Sequence, residues 1–286
     1  MTFLDFFSGI GGFRLGMQQA GHKCLGHCEI DESANRSYVA IHDPEKEEWF
    51  GTDITSVRAN ELPGADIWCF GFPCQDLSIA GNQKGFSGKR SSLFFTVTRL
   101  IRDTEEENRP SILFIENVKN LLSINGGIDF LRLLIELDEI GYYAEWQILN
   151  SKHFGIPQNR ERVYIVGHNR NTEKRSVFPI QESTHGILKS VQADTSGKGM
   201  CSQQDRFYMI DGIMCCLPKA RAKTKCCVCD YEGNLHILNA KERMRLQGFP
   251  DELTDKALKI TSENELCEQA GNSVTVNVIY QISRRF

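Results

Sequence analysis

The sequence predicts an α/β protein, with a mostly parallel sheet covered by helices on both faces and a second, smaller domain. Two observations carry this. Over the first two-thirds, short apolar runs alternate with stretches whose apolar residues recur at helical period. After His168 the alternation stops, and residues 169–238 become richer in Gly, Ser and Lys and hold six of the eleven cysteines. The strands are expected at Phe3–Phe7, Cys24–Glu29, Ile67–Phe70, Ile112–Glu116 and Val163–Val166, and the helices at Gly12–Ala20, Glu32–Ile41, Leu93–Arg102 and Ile128–Ile140. Fully apolar strands joined by helices imply a sheet buried on both faces, with ligands at the carboxyl ends of its strands. Regularity returns at Asn239, where Asn-Ala-Lys-Glu reads as a capping box ahead of Met244 and Leu246, and Gly248-Phe249-Pro250 reads as a stop. A short closing helix is expected over Val274–Ile282. We assign a catalytic domain to residues 1–168, completed by 264–286, and a small domain to 169–263.

Composition narrows the class. Of the 286 residues 41% are apolar, enough for a proper core, and no run approaches the roughly 18 to 20 apolar residues of a membrane span. The stretch Met1–Gly16 lacks the charged start and long apolar segment of a signal peptide, so the cysteines are expected to be reduced thiols in the cytoplasm. A net charge of −4 gives no global attraction to nucleic acid, and any such contact must use local basic clusters.

Four segments carry chemistry. Phe7-Ser8-Gly9-Ile10-Gly11-Gly12 follows the first strand and opens the first helix, where glycines let a ligand approach the backbone; Glu29 ends the next strand, twenty positions after Gly9, the spacing at which a carboxylate meets a ribose. Together they suggest an adenosine-containing cofactor, though a Gly-rich loop alone is equally an ordinary tight turn and does not separate NAD from S-adenosylmethionine. Gly71-Phe72-Pro73-Cys74-Gln75 places a thiol after an apolar strand, at the carboxyl edge, where it can act as a nucleophile; Cys24, Cys28, Cys69 and Cys267 read instead as buried structural cysteines. Glu116-Asn117-Val118 brings a carboxylate to the same edge. In Gln158-Asn159-Arg160-Glu161-Arg162, extended backbone points Gln158, Arg160 and Arg162 to one side, and two guanidinium forks suit carbonyl or phosphate oxygens. A solvated ion-pair face with Glu161 is the other reading.

These motifs, in this order, resemble the cytosine-C5 DNA methyltransferases of bacterial restriction–modification type. Phe-Ser-Gly-x-Gly-Gly, Gly-Phe-Pro-Cys-Gln, Glu-Asn-Val, Gln-x-Arg-x-Arg, Arg245-Leu246-Gln247-Gly248-Phe249-Pro250 and Gly271-Asn272-Ser273-Val274 all occur, and the match runs from Phe3 to about Tyr280. Residues 169–238 fall where that family places its variable target-recognition region. The resemblance implies a Rossmann-like S-adenosylmethionine-dependent methyltransferase sheet with a smaller target-recognition domain, acting on double-stranded DNA.

The resemblance also implies roles. Cys74 would attack C6 of a cytosine turned out of the duplex, Glu116 would share a proton with N3, and Arg162 would donate to O2; Arg160 and Gln158 would organise that site or hold phosphate. Phe7, Ser8, Gly9, Ile10, Gly11, Gly12, Glu29, Ile30, Asp53, Ile54, Pro73, Leu93, Asn272, Ser273 and Val274 would surround S-adenosylmethionine, Asp53 facing the adenine amino group, Glu29 the ribose and Ile30 the adenine ring. The segment Asp76–Ser92 would close over the flipped base, with Gln75, Ser78, Lys84, Lys89 and Arg90 meeting DNA. No metal is required.

In the small domain Lys219, Arg221, Lys223 and Lys225 alternate, and if extended they form one basic face, suited to phosphates or to guarding an edge strand. The Cys226–Cys229 spacing invites zinc, but Cys215 and Cys216 are adjacent and supply no matching pair, so metal is not expected. Many relatives carry a Thr-Leu-Thr-type stretch where Cys216-Leu217-Pro218-Lys219 stands, and the recognised sequence is not legible. The alternatives are a transfer-RNA cytosine-C5 methyltransferase, disfavoured by the lack of a Cys-Phe-Thr motif and by Gly71 before Phe72-Pro73-Cys74; a non-catalytic DNA binder, disfavoured by Cys74, Glu116 and both arginines; and an NAD-dependent thiol enzyme, which leaves Gln-x-Arg-x-Arg unexplained. A monomer is expected, with a restriction endonuclease encoded nearby as a possible partner.

Overall fold

Phe3 and Asp5 face one way from the first strand and Leu4 and Phe6 the other, yet all four are fully buried, so this strand lies inside a sheet covered on both faces. The computed structural model describes residues 1–73, 93–173, 175–182, 192–194, 206–221 and 226–286. Among them a seven-stranded sheet is built from β1 (Thr2–Phe6), β2 (Lys23–Cys28), β3 (Trp49–Gly51), β4 (Ile67–Phe70), β5 (Ile112–Val118), β6 (Tyr142–Asn150) and β8 (Glu161–Asn169), in the order β3-β2-β1-β4-β5-β8-β6. Strands β3 through β5 in that order run parallel, and β8 runs antiparallel to both of its neighbours. The chain winds outward from β1 to β3 and then crosses to β4, so the order reverses between β1 and β4. Ligands bind at such a switch point, outside the carboxyl ends of the strands.

On one face Leu4, Phe6, Trp68 and Phe70 pack under α3 (Leu93–Asp103) and α4 (Ile128–Glu139). On the other, Phe3, Ile67, Cys69 and Phe114 pack under α1 (Gly12–Gln19) and α8 (Val276–Ser283), through Phe13, Met17, Val278, Ile279 and Ile282. Helix α2 (Glu32–His42) begins at Asp31, whose carboxylate accepts from the Ser33 and Ala34 amides, and its Ile41 joins a third cluster with Ile10. That cluster is completed by α5 (Ala240–Arg245), α6 (Asp251–Leu258) and α7 (Glu263–Asn272). Asn239 and Glu242 form the expected capping box, and Gly248 takes a positive φ of 85° at the expected stop. Residues 240–258, which the sequence reading placed in the small domain, therefore share a core with α2.

The small region is a four-stranded sheet of β9 (Gln192–Asp194), β10 (Arg206–Met209), β12 (Cys227–Cys229) and β13 (Leu235–Ile237), in the order β13-β12-β10-β9. A short parallel pairing of β7 (Gln158–Asn159) with β11 (Met214–Cys215) fastens it to the approach of β8. Two strands of the large sheet, β3 and β6, lie outside the sequence expectation. The first is three residues long, and β6 is an edge strand whose half-exposed Glu145 and Gln147 interrupt any apolar run. Among the described residues no helix is long and apolar enough to cross a membrane.

Candidate active site

The loop after β1 is shaped by three residues of positive φ: Phe7 at 54°, Gly9 at 55° and Gly11 at 79°. A Cβ on Gly11 would overlap the His42 ring, and one on Gly12 would sit 2.7 Å from Ser273 Oγ, so the loop is wedged between α2 and the Ser273-Val274 segment. A Cβ on Gly9 would meet nothing within 4 Å, so the space in front of that residue is open. Glu29 closes the loop from the end of β2, accepting from the Gly9 amide at 2.7 Å through Oε2 and from the Asp31 amide at 2.8 Å through Oε1. Burial pushes the Glu29 carboxyl above its ordinary range, while the Asp31 and Gly9 amides pull it back.

Past the end of β3, Asp53 Oδ1 accepts from the Thr55 amide and hydroxyl at 2.9 and 2.8 Å. Ile54 is buried, whereas Ile30 is 66% exposed beside Glu29. Ser8, Ile10, Ser273 and Val274 are buried, Phe7, Pro73 and Leu93 are half-buried, and Asn272 is exposed. The open space at Gly9, an acidic group already holding that glycine's amide, and an exposed apolar side chain next to it fit a ligand that presents ribose hydroxyls and a flat ring. S-adenosylmethionine has both.

The carboxyl end of β5 forms the other half. Because β8 is antiparallel to β5, its beginning lies beside the end of β5, with Val118 opposite Arg162 and Glu116 opposite Tyr164. Glu116 is 8% exposed, and its Oε1 lies 3.2 Å from Arg162 Nε at an angle that leaves the oxygen without a hydrogen bond. Asn117 Nδ2 donates to the Phe72 carbonyl at 3.2 Å, and a Cβ on Gly71 would stand 3.4 Å from Glu116 Oε2. The turn Gly71-Phe72-Pro73 that leads into Cys74 is thus fastened beside Glu116. Cys74 itself lies outside the described residues, as do Gln75, Ser78, Lys84, Lys89, Arg90, Lys223 and the expected closing segment.

Gln158, Arg160 and Arg162 do project to one side, and all three reach the segment Cys216-Leu217. Gln158 is fully buried; it donates to the Leu246 carbonyl at 2.6 Å and accepts from the Leu217 amide at 2.9 Å, so in this structure it joins protein segments and does not face a nucleic acid. Arg160 is 4% exposed and donates to the carbonyls of Ser273 at 2.7 Å and Gly271 at 3.4 Å, and to Cys216 Sγ at 3.2 Å. Arg162 donates to the Glu161 carbonyl at 2.8 Å and to Cys216 Sγ at 3.4 Å. Burial opposes the charge on Arg162, but Cys216 and Glu116 outweigh it and hold the guanidinium above its ordinary value. Burial likewise raises the Cys216 thiol, and the two arginines outweigh that and leave it below its ordinary value. The sequence names Asn117 only as part of Glu116-Asn117-Val118 and Cys216 only as a poor zinc ligand and a departure from the family pattern, and gives neither of them these contacts.

Lys219 and Arg221 are exposed, and Arg221 pairs with Glu268 at 3.1 Å. Cys24, Cys28, Cys69 and Cys267 are all buried, and burial pushes the first two thiols up to about 12. Among the described residues no three His, Cys, Asp or Glu side chains gather into a group able to hold a metal ion.

The family model for C-5 cytosine-specific DNA methylase matches residues 1–232 and 220–286. The Type II methyltransferase M.HhaI of Haemophilus parahaemolyticus is 31% identical over 99% of this chain and 93% of its own length. M.NgoBI of Neisseria gonorrhoeae is 32% identical over 96% of this chain and 90% of its own length. Among solved structures, a methyltransferase of Entamoeba histolytica, EhMeth, superposes with a TM-score of 0.76 at 20% identity, covering 98% of this chain and 96% of its own. The Dnmt2 methyltransferase of S. pombe gives 0.73 at 22% identity, covering 99% and 97%. These last two likenesses concern the fold.

Proposed function

The chain belongs to the C-5 cytosine-specific DNA methylase family and is a DNA (cytosine-5-)-methyltransferase, and from that premise we propose that it methylates a cytosine turned out of a specific double-stranded DNA sequence, with Cys74 as nucleophile. Cytosine C5 is too poor a nucleophile to be alkylated directly. A bond from the Cys74 sulfur to C6 pushes electron density through the ring to C5 and N3, and this activation is what the pocket must favour. Glu116 holds a proton at N3, which keeps negative charge from building on the ring. Arg162, whose side chain lies against Glu116, donates to O2. S-adenosylmethionine, held by the Gly9 loop, Glu29 and Asp53, supplies the electrophilic methyl group. Transfer of the C5 proton to water leaves its electron pair to re-form the C5–C6 double bond, which breaks the sulfur–C6 bond and returns Cys74 as a thiolate.

Arg160 and Gln158 bind no substrate in this scheme. They fix the Gly271–Ser273 and Cys216-Leu217 segments around the pocket. Chemistry is assigned to residues 1–168 completed by 264–286, and sequence readout to the small sheet within 169–263, where Lys219, Arg221 and Lys223 would meet phosphates. Gln75, Ser78, Lys84, Lys89 and Arg90 would meet the flipped site. The enzyme works as a cytoplasmic monomer, with an endonuclease encoded nearby as its counterpart.

The observation that carries the scheme is the junction of β4, β5 and β8, where Asn117 ties the turn before Cys74 beside the Glu116–Arg162 pair. The test is expression of the chain, with Cys74→Ser as control, in cells lacking cytosine methylation, followed by mapping of 5-methylcytosine. Methylation at one short motif, absent with Cys74→Ser, supports the reading. Unmethylated DNA together with methyl transfer to RNA moves the substrate to transfer RNA, and silence on both overturns the catalytic reading.

A further inference from the structure

Arg162 carries its guanidinium beside Glu116, yet the pair does not close into the two parallel hydrogen bonds that an arginine fork and a carboxylate prefer. Nε approaches to 3.2 Å from Oε1, and that oxygen is left without a hydrogen bond. The other acceptors of the guanidinium account for this. Nη1 donates to the Glu161 carbonyl and Nη2 to Cys216 Sγ, so each terminal nitrogen has an acceptor other than the carboxylate.

We propose that Cys216 is a positioning residue of the methyl-transfer reaction: its sulfur, 3.2 Å from Arg160 Nη1 and 3.4 Å from Arg162 Nη2, draws the Arg162 fork off Glu116 and keeps that carboxyl free for the base. This rests on the function proposed above. Without the sulfur, Nη2 has no buried acceptor, and rotation onto Glu116 would satisfy it at the cost of occupying both carboxylate oxygens. The sulfur suits the task in either protonation state. As a thiol, Cys216 can donate to the Leu217 carbonyl, whose oxygen is 3.7 Å from the sulfur, which leaves the sulfur lone pairs to the two arginines. The paired guanidinium groups also outweigh burial and favour the thiolate, which accepts more strongly.

The anchor is firm because its segment is clamped. The Leu217 amide donates to Gln158, and the Pro218 carbonyl presses so closely on Gly271 that a Cβ there would overlap it. Cys216 follows β11, which enters from the small region, so the same contact connects that region to the two arginines.

The test compares wild type, Cys216→Ala and Cys216→Ser in steady-state methyl transfer to DNA, with thermal unfolding measured alongside. The expected result is a kcat about 10- to 100-fold lower for Cys216→Ala, a KM for DNA within about threefold of wild type, and recovery to within about threefold of wild-type kcat in Cys216→Ser, whose hydroxyl keeps an acceptor there. Should Cys216→Ala not fold at the assay temperature, Cys216→Val, which fills the volume without an acceptor, gives the same reading. An unchanged kcat overturns the proposal. So does equal loss in the acceptor-free and serine variants, which marks a packing role, or a loss confined to KM for DNA, which marks a DNA contact. A wild-type protein that transfers no methyl to DNA would instead bring down the function reading, and this inference with it.

Discussion

Glu116 and Arg162 meet across adjacent antiparallel strands, Oε1 and Nε 3.2 Å apart, although the paired positions in the ladder are Glu116 with Tyr164 and Val118 with Arg162. The contact is therefore a diagonal reach along the sheet edge. Glu116→Gln keeps the volume and removes the transferable proton site. It is expected to lower single-turnover methyl transfer by about 10²- to 10⁴-fold, the usual span for a positioned acid or base. The melting temperature should stay close to wild type, since Arg162 retains the Glu161 carbonyl and Cys216 as acceptors. Transfer within tenfold of wild type would remove Glu116 from the chemistry.

The two loop glycines should fail in different ways. At Gly9, with φ 55° and open space beyond, alanine costs only left-handed backbone strain, about 1–2 kcal/mol, but puts a methyl where the cofactor is proposed to lie. At Gly11 the same strain is joined by overlap with His42 and a 2.9 Å approach to Tyr38, adding about 1–3 kcal/mol of overpacking. Gly9→Ala should weaken S-adenosylmethionine binding by titration about tenfold or more with a small shift in the urea midpoint. Gly11→Ala should show the larger midpoint shift. Unaltered cofactor affinity in Gly9→Ala would place the cofactor away from this loop.

Gln158 and Lys219 separate structural from electrostatic contributions to DNA binding. Gln158→Ala leaves the buried Leu246 carbonyl and Leu217 amide without partners, a loss of about 1–3 kcal/mol each, and should not alter the dependence of DNA affinity on salt. Lys219→Ala should leave stability within about 0.5 kcal/mol and reduce the slope of log affinity against log salt by about 1. A changed salt slope in Gln158→Ala would restore the phosphate contact that the sequence suggested for it.

How far the sequence spoke depended on whether a feature was local. The ends of β1, β4 and β5 were legible because each is a short apolar run followed at once by its chemical residue, and parallel strands deliver those residues to one edge. Edge strand β6 was not, since a strand exposed on one flank needs no apolar run. The alternation rule gave the shared direction of Gln158, Arg160 and Arg162 but not their destination. Cys216 stands 54 positions from Arg162, and no periodicity encodes such a contact. It followed from the pairing of β7 with β11, two-residue strands too short to leave a pattern.

Acid should weaken the fold through two histidines, buried His27 and half-buried His42. Burial lowers His42 to about 3; the Ile10 carbonyl, accepting from Nε2 at 3.0 Å, offsets part of this, and the charge of Arg14 adds to it. Burial lowers His27 to about 4 in the same way, against the Asn35 bond. An unfolded imidazole titrates near 6.5, so between pH 6.5 and 4 the unfolded chain binds protons that the folded one does not. Stability therefore falls as the pH drops through that window, by up to about 1.4 kcal/mol per unit for each histidine. Asp5 opposes this, because its buried carboxyl is pushed up and stabilises the fold only while protonated, a contribution lost as the pH rises. Comparing wild type with His42→Gln cancels Asp5, since both proteins carry it, and the glutamine amide can still donate to Ile10. Urea unfolding at pH 7.5, 6.5, 5.5 and 4.5 should give a slope against pH shallower by about one proton in the variant. Parallel slopes would mean that His42 takes up its proton over the same pH range folded as unfolded, so that its packing against Gly11 does not keep it neutral.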